Sequence, residues 1–167
     1  MSQRPGSLQQ ERTYMKIVRN KYDYIINLLS LLCLIGISIF LIIAWDKIPA
    51  KIPGHYNFAG EIDKFSDKSS LKVLLAADWI FFILISVVEM FPGMWNTGVQ
   101  VTPQNREKVY RILKNMLGTL KLCVVLVFSY LTYHSTSVEN MPVLFLPVFM
   151  ILIFGPIGFF IYQLMKV

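Results

Sequence analysis

The sequence predicts an all-α integral membrane protein: a four-transmembrane-helix bundle with an ordered Pro/Gly-rich loop between helices 1 and 2. Three observations carry that expectation. Of 167 residues, 55% are hydrophobic and only 16% charged, a balance that suits a bilayer-embedded chain. The apolar residues fall into four long runs, each able to cross about 30 Å of hydrocarbon at about 1.5 Å per residue. The charges gather at the ends of those runs. A formal net charge of +6 therefore points to basic membrane-flanking segments and away from nucleic acid.

Residues 1–23 are expected to form a cytoplasmic tail, polar and partly disordered around Pro5 and Gly6. Its last part, Thr13 to Asp23, mixes Tyr14, Ile17 and Val18 with Lys16, Arg19 and Lys21. That pattern suits a short basic helix among headgroups or a plain lead-in to the membrane. Residues 24–167 read as one four-helix membrane domain. Span one, about 24–45, is uncharged. It is too long for a signal-peptide core and no A-x-A site follows it, so it is read as retained. Span two, about 71–91, stops at Pro92-Gly93. Span three, about 112–133, continues a helix that starts earlier, with Thr102 as N-cap and Pro103 at its first position. Its first turns are basic and suit an anionic leaflet. Span four, about 141–165, carries Pro147 and Pro156 as kink sites. Cys33 and Cys123 lie inside apolar runs and read as small buried hydrophobes. Gly36 and Gly118 are expected to permit close helix approach, while Gly155 and Gly158 are spaced three apart and make no GxxxG pair.

Orientation follows from Lys and Arg. Arg4, Arg12, Lys16, Arg19, Lys21, Arg106, Lys108, Arg111, Lys114 and Lys166 fall on one side. Lys47, Lys51, Lys64, Lys68 and Lys72 fall on the other. The excess places both termini in the cytoplasm and the first loop outside a cell membrane crossed several times. Trp45 and Tyr133 suit an outer aromatic belt; Tyr22, Trp95 and Tyr162 suit an inner one.

Charges also occur inside the runs: Asp78 and Glu89 in span two, Lys114 and Lys121 in span three. Charges there usually face the interior and mark ion pairs or passages. Asp78 and Glu89 share one helix face at about 100° per residue, as do Lys114 and Lys121. A Glu89–Lys114 or Glu89–Lys121 contact is expected, with Asp78 reaching toward Lys121. No HExxH, GxSxG, phosphate loop or CxxC occurs. His55 and His134, with Glu61, Asp63 or Glu139, make the one conceivable metal set. Neither a catalytic residue nor a cofactor is assigned.

The first loop, DKIPAKIPGHYNFAGEIDKFSDK, is the most informative stretch. Pro49 and Pro53 stiffen the chain as it leaves span one. Gly60 permits a positive φ, so Asn57 to Glu61 suits a tight turn bonded by the Asn57 side chain. Tyr56, Phe58, Ile62 and Phe65 are expected to pack the loop onto the helix ends. Ile48-Pro49, Pro53, His55, Asn57, Gly60 and Asp63 also form a spaced signature. It resembles that of the bacterial membrane domain of unknown function 1648. The resemblance covers Tyr24 to Phe91, more weakly Asn105 to Glu107. It departs after Asp63, where Lys64 follows in place of Trp or Gly. The same domain opens the SdpI-type immunity proteins, which protect a cell from a secreted peptide toxin and can signal its presence. In those proteins a further membrane domain follows, so the part expected to carry immunity is not expected here.

The resemblance implies a bacterial cytoplasmic-membrane protein. The expected function is an interaction protein, immunity- or signalling-related, that uses Pro49, Pro53, His55, Asn57, Gly60 and Asp63 to recognise a peptide toxin or a partner membrane protein. Two alternatives stand beside it: a transporter or transporter accessory subunit using Asp78, Glu89, Lys114 and Lys121, and a metal-dependent membrane enzyme.

Overall fold

The computed structural model describes residues 17–167. The tail through residue 16, including Arg4, Arg12 and the first four residues of the expected basic helix, lies outside the described residues. Residues 17–20 are not helical. The first helix, α1 (Lys21–Ala44), begins three residues before the expected span because Asn20 and Asp23 form a capping box. Each side chain accepts the other's backbone N–H, which satisfies two of the donors a helix start leaves bare. A 3-10 turn (Trp45–Lys47) leads to strands β1 (Lys51–Tyr56) and β2 (Ile62–Asp67). Helix α2 (Ser70–Glu89), a second 3-10 turn (Pro92–Met94), α3 (Arg106–His134) and α4 (Phe145–Met165) complete the order.

The all-α expectation is corrected by the antiparallel β1–β2 hairpin. Backbone groups stiffened by Pro49 and Pro53 still need partners, and the ladder supplies them without help from the helices. Each of the four long helices is apolar and long enough to cross a membrane, so the chain has the makings of a multi-pass membrane protein in contact with lipid.

Helix α3 is the hub. Its most apolar window is 50% buried, against 28%, 11% and 6% for those of α1, α2 and α4. Helices α1, α2 and α4 each pack on α3, whereas α2 and α4 make little contact with one another. Three apolar clusters hold the arrangement. Val109, Ile112 and Leu113 meet Phe160 and Leu164, which sets α3 and α4 antiparallel. Leu34 and Ile37 of α1 meet Val125, with Trp79 and Phe82 of α2 against them. Leu41, Ile48, Ile52 and Leu71 join the end of α1, the hairpin and the start of α2.

Several local expectations shift. Regular α3 begins at Arg106, yet Thr102 still caps the preceding turn: its hydroxyl accepts from Asn105 N at 3.3 Å and its N–H donates to Asn105 Oδ1 at 2.8 Å. Span four begins at Phe145, so Pro147 sits in the first turn, where no intrahelical donor is needed; Pro156 is interior. A side chain at Gly118 would meet Ile26 and Glu89 at ordinary contact distance, whereas Gly36 faces open space and marks no close approach. Cys33 is half-buried, Cys123 is buried, and both are free thiols.

Candidate functional site

Local chemistry builds the hairpin tip. Asn57 Oδ1 accepts from Ala59 N at 2.9 Å and Glu61 N at 3.0 Å, and its Nδ2 donates to Glu61 Oε2 at 2.9 Å. Its backbone closes the same turn, with Asn57 N on Glu61 O and Gly60 N on Asn57 O, both at 2.9 Å. Gly60 takes φ 82, a left-handed conformation that L side chains resist. A Cβ there would also lie 2.7 Å from Met141 O.

The tip is tied down from the α3–α4 loop. Met141 N donates to Gly60 O at 2.7 Å, and Ile62 N donates to Asn140 Oδ1 at 3.0 Å. His134 Nε2 lies 3.2 Å from Asn140 O. The same imidazole is stacked on Tyr130 and lies against Tyr56. Tyr56 is half-buried, and burial pushes its phenol above the ordinary range. Ser135 approaches the hydroxyl and works against that rise, but no hydrogen bond of good geometry joins them.

The six loop residues separate into two sets. Pro53 is buried beside Ile52, while Asn57 and Gly60 shape the turn. His55 and Asp63 are displayed: Nδ1 meets Asp63 Oδ1 at 2.7 Å across the strands, with both side chains substantially exposed. Pro49 is exposed before β1. The aromatic expectation is partly corrected. Tyr56 and Ile62 pack, but Phe58 is 99% and Phe65 53% exposed, because Ile48, Ile52 and Pro53 already fill the space over the helices. Between the hairpin and the first turns of α2 and α4 lies a cleft of about 830 Å³.

The intramembrane charges form two clusters and one isolated carboxyl. Lys121 is fully buried and donates to Glu89 Oε2 at 2.9 Å, Asn27 Oδ1 at 2.7 Å and Ser86 Oγ at 3.2 Å. The expected Glu89–Lys121 contact is present. Lys114 instead lies 3.6 Å from Asp23, whose Oδ2 accepts from Arg111 Nη1 at 2.8 Å. Arg111 also donates to Val18 O. Lys114 turns toward α1, and Asp23 was not singled out from sequence. Its one signal was Asn20-x-x-Asp23 at capping-box spacing. Asp78 does not reach Lys121. With Glu89 level with Lys121 on antiparallel helices, Asp78 falls about 16 Å further along at about 1.5 Å per residue. It is fully buried there, accepts from Ser129 Oγ at 3.1 Å, and its Oδ1 has no hydrogen-bond partner among the described residues.

His55 and His134 do not share a ligand set: one faces Asp63, the other is buried under Tyr56 and Tyr130. Among the described residues no three His, Cys, Asp or Glu side chains converge on a metal position.

A family model, Domain of unknown function (DUF1648), matches residues 31–77. The match runs from within α1 through the hairpin to α2 and contains all six loop residues. Tyr24 to Ser30, Asp78 to Phe91 and Asn105 to Glu107, to which the resemblance extended, lie outside it. No curated protein and no solved structure matches the chain.

Proposed function

We propose that the chain is a bacterial membrane interaction protein, immunity- or signalling-related, whose hairpin faces outward and recognises a peptide or a partner membrane protein. The observation that carries this reading is the exposed His55–Asp63 pair on a hairpin clamped at its tip by Asn140 and Met141. A surface ordered in advance gives up less freedom on binding than a loose loop. A two-stranded sheet has open edges, where an extended segment can add by backbone hydrogen bonds. Beside them, His55 and Lys64 are register partners and offer polar readout. The Lys and Arg distribution supports the outward orientation, with both termini cytoplasmic.

The charges inside the helices are read as pins. Lys121 has three partners for its three donors, which leaves little for a passing substrate. Asp78, with one oxygen unpaired among the described residues, separates this reading from transport. Asp78→Asn spares recognition here and abolishes flux if the chain serves a transporter.

The test places a photoreactive side chain at position 64 in living cells. Recognition predicts a discrete crosslinked peptide or protein, lost with His55→Ala or Asp63→Ala and kept with Asp78→Asn. Capture of lipid alone, or capture indifferent to His55 and Asp63, refutes it.

A further inference from the structure

The cleft beneath the hairpin is lined by both apolar and polar side chains, with the apolar ones in the majority. Leu71 and Leu74 line it from α2, Leu131 from α3, and Phe145 and Leu146 from α4. Polar groups come chiefly from the hairpin and its exit, among them His55, Ser66 and Ser70. Helices α2 and α4 make little contact with one another, so packing between them does not close the space that Leu131 of α3 backs. These two helices are also the least buried of the four. The cleft walls therefore pass without a break onto faces that meet hydrocarbon.

Two large apolar side chains at the cleft are almost bare: Phe58 is 99% and Val143 85% exposed. Water leaves such groups uncovered, whereas the headgroup–hydrocarbon boundary covers them. A peptide filling the apolar interior would bring amides that need partners there. A hydrocarbon chain brings none. The volume of about 830 Å³ falls in the range of about 300–1,000 Å³ used by small-molecule sites.

We propose that this cleft seats one acyl chain of a bilayer phospholipid, reached sideways between α2 and α4, with its headgroup beside His55 and Ser66. The site goes beyond the proposed recognition by the hairpin, with which it shares His55, and it is tested through the acyl chain, so the two are judged by different readouts.

The experiment uses the full chain in nanodiscs of phosphatidylethanolamine and phosphatidylglycerol. A trace of phospholipid carries a diazirine in its acyl chain, and labelled residues are mapped by mass spectrometry. Labels are expected at Leu74, Phe145 and Leu146 at about five times the level found at Ile42, an exposed residue of α1. Leu74→Trp narrows the cleft from its α2 wall and is expected to cut that excess, with Ile42 labelling unchanged. Should Leu74→Trp fail to fold, Val143→Asp at the bare mouth is expected to remove the excess instead. Cleft labelling no higher than at Ile42, or an excess undiminished in either folded variant, overturns the proposal. Absence of a protein crosslink at position 64 leaves these readouts unmoved, so the two ideas fail independently.

Discussion

Replacing Lys121 with Met tests whether the buried charges are pins. The side chain is fully buried and makes three hydrogen bonds, the closest to Asn27 Oδ1 at 2.7 Å and Glu89 Oε2 at 2.9 Å. Its removal leaves the Glu89 carboxylate, mostly buried and already lacking a partner at Oε1, with no countercharge among the described residues. Breaking one side of a buried pair in this way costs about 3–5 kcal/mol. Losing the charge-assisted contacts to Asn27 and Ser86 adds to that cost. The double variant Lys121→Met with Glu89→Leu removes the stranded charge and is expected to recover about 2–3 kcal/mol of that loss. Lys114→Met is expected to cost less than half as much as Lys121→Met, because Asp23 keeps the closer Arg111 at 2.8 Å. Reversible unfolding in mixed micelles of increasing SDS fraction measures all four proteins. A cost for Lys121→Met below about 1 kcal/mol, or a double variant less stable than Lys121→Met alone, refutes the pin.

Other consequences follow from single residues. Gly60→Ala forces a Cβ into a left-handed turn 2.7 Å from Met141 O and is expected to loosen the hairpin by about 1–3 kcal/mol; amide exchange at Met141 should accelerate, and unchanged exchange contradicts the clamp. Asp23→Ala removes the capping box together with the partner of Arg111 and Lys114, so a loss of more than about 2 kcal/mol is expected in the same unfolding assay. Tyr56 supplies the pH dependence. Its folded-state phenol is raised above 10.0 by burial, so the folded state holds the proton where the unfolded state has lost it. Stability from this group is complete below the unfolded value and falls as pH rises from there through the folded value. Hairpin amide exchange should quicken with alkaline pH more in the parent than in Tyr56→Phe; equal pH profiles would contradict the assignment.

Sequence made the hairpin tip legible because its chemistry is local. Asn57, Gly60 and Glu61 lie within one turn, so residue type and spacing specify the side-chain bonds and the positive φ. The Glu89–Lys121 pair was legible for a related reason: opposite charges on neighbouring helices seek one another where lipid offers no solvation. The strand pairing was obscured, since Pro49, Pro53 and Gly54 argue against a sheet interior and the irregular register at Pro53, His55 and Tyr56 leaves no clean alternation. Asp23 was overlooked because its partners Arg111 and Lys114 lie 88 and 91 positions away.

What the sequence determined by itself is the membrane character, the four apolar spans and the turn chemistry of the first loop, all read from composition or from neighbours within a few residues. What only the tertiary structure decided is the hub position of α3, the clamp of Asn140 and Met141 on the hairpin, the turn of Lys114 toward Asp23, the isolation of Asp78 beside Ser129, and the cleft between α2 and α4. Each depends on the relative rotation and depth of helices. An apolar run constrains these weakly, because lipid accepts any apolar face and packing against neighbouring helices selects the one that is buried.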